Sequence, residues 1–384
     1  MYLSIKGVYL ATQEFIRSSC DAMTTSTTTS LVCPARLGAP LDSVRFDWLM
    51  GVVSIWLLAG LFLDGWAHNT FLDGIETFLT PWHAVLYGGF TAVALILMGT
   101  ALRNRTLGYA WSNALPQGYM PALAGVLIFA LAGTADFAWH SWLGFEANQE
   151  ALLSPPHLAL AIGGGLILSA PFRAAWTRSQ QKDRPGWIEL LPALLSLGAL
   201  MSVATFFTQY ANVFQHANIL TGPHPAGDTY LWDTTALAGV LIPTGIVMTG
   251  ILLAVRRWQL PFGSLTILLT ANTSLMFLMG QRYSGQHWPI LLAALAGGLI
   301  GDGLLAALRP SPTRSGALRW FAFVVPFEYF LLFFGTLLLT ANLWWRPHLW
   351  LGAPVLAGFV GLGLSYLLAP LPLSATAQSK EASS

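Results

Sequence analysis

The chain has 384 residues, of which 55% are hydrophobic and 9% charged, and its mean hydropathy is +0.60. Soluble domains carry about 25% charged residues, so a soluble globule is excluded, and a net charge of +1 gives no electrostatic footprint for a nucleic-acid partner. The two cysteines, Cys20 and Cys33, both precede the first apolar run and make neither a disulfide framework nor a zinc motif.

Residues 1–45 read as a disordered cytoplasmic segment. Thr24–Ser30 is polar and of low complexity. Met1–Cys20 lacks the apolar core and cleavage site of a signal peptide, and Met23 offers a second start. From 46 to 373 the chain reads as an all-α polytopic membrane bundle, followed by a loose cytoplasmic tail, 374–384. A membrane helix needs about 20 mainly apolar residues. About ten segments qualify: 46–66, 83–102, 119–141, 157–175, 187–211, 233–256, 262–281, 287–308, 318–342 and 349–369. Gly88-Gly89, Gly163-Gly164-Gly165 and Gly297-Gly298 are patches where helices can approach closely.

All Lys and Arg except Arg282 and Arg346 fall in the two tails and in alternate loops. The positive-inside rule therefore puts both termini in the cytoplasm of a multi-pass cell (inner) membrane protein. The opposite loops carry Asp73, Glu76, Glu146, Glu150 and Asp228. On this topology all eight histidines (His68, His83, His140, His157, His216, His224, His287 and His348) belong to the outer, periplasmic or extracellular side. Neutral imidazole is the commonest metal ligand. An interfacial preference of amphipathic rings is the alternative, but it applies to both faces of a membrane.

The first span ends in Asp64-Gly-Trp-Ala-His68 and the third in Asp136-Phe-Ala-Trp-His140. Spacing of four puts both side chains of each pair on one helix face, one turn apart. The following helices open with Thr80-Pro-Trp-His83 and Ser154-Pro-Pro-His157, and Pro suits the first turn of a helix. Each hairpin can thus gather one Asp and two His, and the two copies, about 46–105 and 118–178, form an internal repeat in one orientation. Asn212 and His216, again four apart, close the fifth span and either join the second site or cap a helix end. Asp and His without thiolate suit copper, zinc or iron alike, and a three-ligand site leaves a position open. The competing reading is polar glue between helices.

These residues resemble the C subunit of the copper membrane monooxygenases, the family of particulate methane and ammonia monooxygenase. That subunit carries Asp-x-x-x-His, then Thr-Pro-x-His at the head of the next helix, and later Asn-x-x-x-His. The resemblance implies copper-ligand roles for Asp136, His140, His157, Asn212 and His216, and the same trio role for Asp64, His68 and His83. It covers about a third of the chain, and the motif stands twice here against once in the family. It implies a membrane copper oxidoreductase or its metal-bearing subunit, with the metal activating oxygen toward a small, poorly polar substrate. The lipid bilayer is then the first partner, with other membrane subunits or a homo-oligomer as further ones. A copper-handling or transport protein is the alternative, although no methionine pair at helical spacing beside the histidines marks a Cu(I) path. A structural subunit with Asp–His packing contacts is the third reading. Glu328, near the middle of the ninth span, and Asp302, toward the inner end of the eighth, need protonation or a partner. Glu328 either serves a proton path or is a neutral acid hydrogen-bonded to a neighbouring helix, and Asp233 is a candidate N-cap of the sixth span.

Overall fold

A computed structural model describes residues 43–71, 80–144, 152–178, 184–280 and 285–370. The cysteines, both terminal segments except for the start of the first helix, and Asp73, Glu76, Glu146, Glu150 and Arg282 lie outside the described residues.

The described chain is helical throughout, with only isolated β-bridges at Thr221–Leu343 and Ser311–Arg314. The helices run α1 (Val44–Thr70), α2 (Pro81–Thr106), α3 (Met120–Leu143), α4 (Pro155–Leu168), α5 (Ala170–Thr177), α6 (Trp187–Phe207), α7 (Tyr230–Arg257), α8 (Ser264–Met279), α9 (Pro289–Leu308), α10 (Ser315–Thr340) and α11 (Pro347–Leu368). Eight of them are long and apolar enough to cross a membrane. Their outward leucines, such as Leu95, Leu127 and Leu131, are exposed, as suits side chains that meet lipid.

Two of the expected spans take other shapes. The segment 157–175 is not one helix but the pair α4–α5, bent by 41° at Ser169. Pro171 lacks the N–H that would continue the ladder. Ser169 Oγ donates to the Gly165 carbonyl at 2.5 Å and Arg173 donates to the Leu166 carbonyl at 2.8 Å, so the break leaves these acceptors satisfied. The helix α8 has 16 residues. At 1.5 Å per residue it spans roughly 24 Å, less than the ~30 Å hydrocarbon layer.

The ends of the bundle divide the polar chemistry. The arginine-bearing end holds Asp47, which accepts from Tyr119 at 2.7 Å and from Arg178 at 2.5 Å. At the same end Arg319 donates to the carbonyls of Ser365 and Ala369, stabilising the last turn of α11. Asp302 is fully buried, and it accepts from the backbone N–H groups of Leu265 and Thr266, both at 3.0 Å, capping α8 from another helix. Asp233 is not the N-cap of α7. It sits in the first turn and accepts from Thr229 at 2.9 Å and Trp345 at 2.7 Å, while Asp228 accepts from the Tyr230 N–H. Glu328, beside Pro326 in α10, has two buried carboxyl oxygens with no hydrogen-bond partner, where a bond to a neighbouring helix is the simpler expectation.

Both α1–α2 and α3–α4 are tight hairpins. A Cβ on Gly60 would lie 2.5 Å from the Leu86 Cα, and one on Gly89 2.7 Å from the Leu57 N. Likewise a Cβ on Gly125 would lie 2.7 Å from the Gly163 carbonyl, and one on Gly163 2.8 Å from the Phe129 N. Only glycine allows backbones this close. The same device thus fixes the height of each partner helix against the Asp-bearing one.

Candidate metal centre

Asp64 and His68 stand one turn apart at the end of α1, and His83 lies in the first turn of α2. Thr80 is the N-cap of α2: its hydroxyl accepts from the His83 N–H at 3.1 Å and contacts His83 Nδ1 at 2.9 Å. With Nδ1 so engaged, His83 Nε2 faces Asp64 Oδ2 at 3.6 Å, and His68 Nε2 reaches the same oxygen at 3.9 Å. The two rings meet edge to face at 5.7 Å.

The second hairpin repeats this. Asp136 Oδ1 lies 3.4 Å from His140 Nε2 and 3.5 Å from His157 Nδ1. Ser154 Oγ holds His157 Nδ1 at 2.7 Å, and His140 Nδ1 sits 3.2 Å from the Gly144 carbonyl. The imidazoles again meet edge to face, at 5.8 Å. In each cluster one ligand atom per residue lies within 4.8 Å of the others. These are the clusters of this kind among the described residues.

The separations distinguish two uses. A charge-assisted hydrogen bond closes to about 2.7–2.9 Å. Two ligands held ~2.0–2.1 Å from a tetrahedral ion stand roughly 3.3–3.4 Å apart. The three Asp–His contacts made through Nε2, 3.4 to 3.9 Å, lie at or just beyond the second spacing, while the fourth is through His157 Nδ1, the nitrogen that Ser154 holds. Asp64 Oδ1 is also buried with no hydrogen-bond partner. A buried carboxylate oxygen left in that state is costly, and a cation would relieve it. Residues and spacing therefore fit a divalent metal.

The clusters share one cavity of about 620 Å³. Asp64 lies within electrostatic reach of Asp136, and His68 within reach of His140 and His157. Tyr87, one turn after His83, also lines the cavity. It stacks on His83 at 6.2 Å and meets Phe129 edge-on at 6.3 Å, bridging α2 to α3. A Cβ on Gly133 would come within 3.0 Å of its hydroxyl, so that glycine makes the notch it occupies. The i,i+4 spacing from His83 was the signal that could have found Tyr87.

The element after α6 closes the far wall. The helix stops at Phe207 and passes through a 3-10 turn, Gln209–Ala211, so Asn212 and His216 do not share a helix face. Asn212 is extended, and its Oδ1 accepts from the Phe214 N–H at 3.0 Å; it is not among the residues lining the cavity. His216 lines the cavity with Gln209 and Gln215. Burial lowers its proton affinity, opposed by a hydrogen bond to the Gln209 backbone, and favours the neutral, coordinating form. Gln215 donates to Gln209 Oε1 at 2.9 Å, and Asn69 donates to the same oxygen at 3.2 Å, a polar rim that sequence reading missed because its parts are far apart in the chain. Met279 stands in the wall as well, one turn from Met276 on α8, so thioether sulfur is closer to the histidines than the sequence suggested.

The remaining histidines serve elsewhere. His287 contacts Thr221 Oγ1 at 3.1 Å, His224 packs on Trp344 at 5.2 Å, and His348 is exposed in the first turn of α11. No protein-family profile, no curated protein and no solved structure matches this chain.

Proposed function

We propose that this chain is a copper-binding integral membrane protein, an oxidoreductase or the metal-bearing subunit of one, acting on a poorly polar substrate. The observation that carries this reading is the convergence of two Asp–His–His clusters on a single cavity. The imidazole–carboxylate donor set suits copper, zinc or iron alike, and the resemblance of both hairpins to the copper membrane monooxygenases is what favours copper among them. The distribution of arginines supports the orientation, with the clusters toward the periplasmic or extracellular side of the cell membrane and both termini cytoplasmic. Further membrane subunits or a second copy would complete the assembly.

Six residues, Asp64, His68, His83, Asp136, His140 and His157, would hold the metal, one ion to a cluster, with His216 facing them. A bound copper ion would supply one-electron chemistry toward dioxygen. The chain's own part is positional. Thr80 and Ser154 fix the ring orientations of His83 and His157, and for His83, whose opposite nitrogen faces Asp64, the contact would also raise ligand basicity. Tyr87 ties α2 to α3 beside His83, and apolar side chains line the cavity beneath the clusters.

The test is the metal content of detergent-purified full-length protein, wild type against a double variant, Asp64→Asn with Asp136→Asn. The reading expects copper in the wild type and its loss in the variant, with folding retained by circular dichroism. A well-folded wild type that takes up no transition metal would return both clusters to the role of packing contacts.

A further inference from the structure

The cavity is far larger than the clusters need. Its 620 Å³ falls within the ~300–1,000 Å³ of sites that take drug-sized ligands, whereas a gas-sized molecule needs on the order of one ~30 Å³ water volume. Its polarity is graded. The acids, imidazoles and glutamines all stand at the histidine end of the bundle. Below them the wall is apolar. Leu57 and Leu58 lie two turns beneath Asp64 on α1, and Gly164 and Leu168 lie two to three turns beneath His157 on α4. At 1.5 Å per residue this shaft runs roughly 10–16 Å into the bundle. Its floor, Leu168, is the last residue of α4, where the helix breaks.

One glycine shows that the shaft is kept open. In Gly163-Gly164-Gly165 the first is required by packing, since its Cβ would strike the Phe129 backbone at 2.8 Å. Gly164 is not: a Cβ there would meet its nearest neighbour, a ring carbon of Phe129, at an ordinary 3.7 Å. Gly164 lines the cavity, so what its missing side chain spares is the empty space. At the histidine end the wall includes the exposed residues Phe71 and Tyr210, amphipathic or aromatic side chains suited to a membrane interface.

We propose that the cavity binds one lipid-soluble amphiphile, with a hydroxyl, carbonyl or amine head against the clusters and the Gln209–Gln215 rim and an alkyl or ring tail in the shaft. The placement of the head rests on the metal reading above, while the tail site stands on the shaft alone. An apolar tail gains burial along the leucines, and the polar head meets donors and acceptors at the one level where the wall supplies them.

The probe is a dodecanol carrying a photoreactive diazirine near the tail end, added to full-length protein in a bulky steroid-based detergent. Labelled peptides are read by mass spectrometry, and metal content is measured on the same samples. The expected result is labelling at Leu57, Leu58 and Leu168, displaced by unlabelled dodecanol and not by ethanol. Gly164→Leu and, as a second plug at a residue that also lines the cavity, Ala161→Leu should each cut it at least about tenfold, with metal content unchanged, while Gly164→Ala keeps it. Labelling confined to bilayer-facing Leu95, Leu127 and Leu131, or floor labelling untouched by both plugs, would overturn the proposal. Floor labelling in a protein without metal would uphold the tail site and sink the metal reading instead.

Discussion

The α1–α2 and α3–α4 clusters are built on one sequence plan but sit in different surroundings. Asp136 is 3% exposed and His140 11%, whereas Asp64 is 13% and His68 41% exposed. The carboxylate–imidazole contacts follow the same order, 3.4 and 3.5 Å in the second cluster against 3.6 and 3.9 Å in the first. The polarity reverses at the incoming helix, where His83 is 15% and His157 27% exposed. The ring presentation differs as well: Nε2 of His83 faces its carboxylate, but Nδ1 of His157 faces both Asp136 and Ser154. The two hairpins therefore present the same residue set with different solvation, the second more enclosed and the first more open.

The largest expected effect breaks this comparison directly. If the proposed metal reading holds, Asp136→Ala removes a buried carboxylate that water reaches poorly, so the second cluster should lose metal affinity by more than about 100-fold, beyond the 10–100-fold typical of outer partners. Asp64→Ala should cost about tenfold, because water can replace a carboxylate at the wetter cluster. Chelator competition followed by elemental analysis measures both. Equal losses would mean that enclosure does not set affinity here.

A smaller effect sharpens the difference between the two helix starts. Thr80 both caps α2 through the His83 N–H and holds the His83 ring, whereas Ser154 makes no cap bond to the backbone and holds only the ring. Thr80→Ala should lower stability by about 1 kcal/mol and the first cluster's metal affinity by about tenfold. Ser154→Ala should lower the second cluster's affinity similarly and leave stability nearly unchanged. Unfolding of chelator-treated protein in detergent, followed by tryptophan fluorescence, separates the two.

The plan of each cluster was legible because every relation in it is local. Asp-x-x-x-His becomes one helix face by the period of the α-helix, and the Pro-led histidine is held by the hydroxyl of the residue three positions earlier. Convergence of the hairpins on one cavity was not legible. It depends on Tyr87 crossing from α2 into the notch at Gly133, a contact 46 residues apart by number with no shared period. Asn212 misled for the opposite reason. Its spacing from His216 repeats the helical pattern, but α6 stops at Phe207, and the interval is spent on a 3-10 turn and an extended residue. Spans followed apolar length well, while the break at Ser169 is the work of Pro171, which average hydropathy does not register. Asp302 reads as an acid toward the inner end of its span whose partner is not visible in the sequence, since the α8 N–H groups that bind it lie 37 and 36 residues earlier.

The smallest expected effect concerns His216, which belongs to neither hairpin and faces both. Burial holds its proton affinity below the ordinary value of 6.5, and the hydrogen bond to the Gln209 backbone only partly restores it. In the unfolded chain this imidazole takes up a proton as pH falls through about 6.5, while in the folded protein it stays neutral to lower pH. In that window the unfolded state binds more protons, so stability rises with pH there. The contribution is fully present above 6.5 and is lost as pH falls toward the lower folded value. His216 shares its cavity with the imidazoles and carboxyls of both clusters, so the slope of the wild-type protein alone proves nothing about His216. The informative quantity is the difference between chelator-treated wild type and His216→Gln. The variant should lose less stability between pH 7 and about pH 5.5, because an amide replaces the imidazole without a titration. If the two curves run parallel, His216 is as well solvated folded as unfolded, and it is then a surface residue beside the clusters and not a third wall of their cavity.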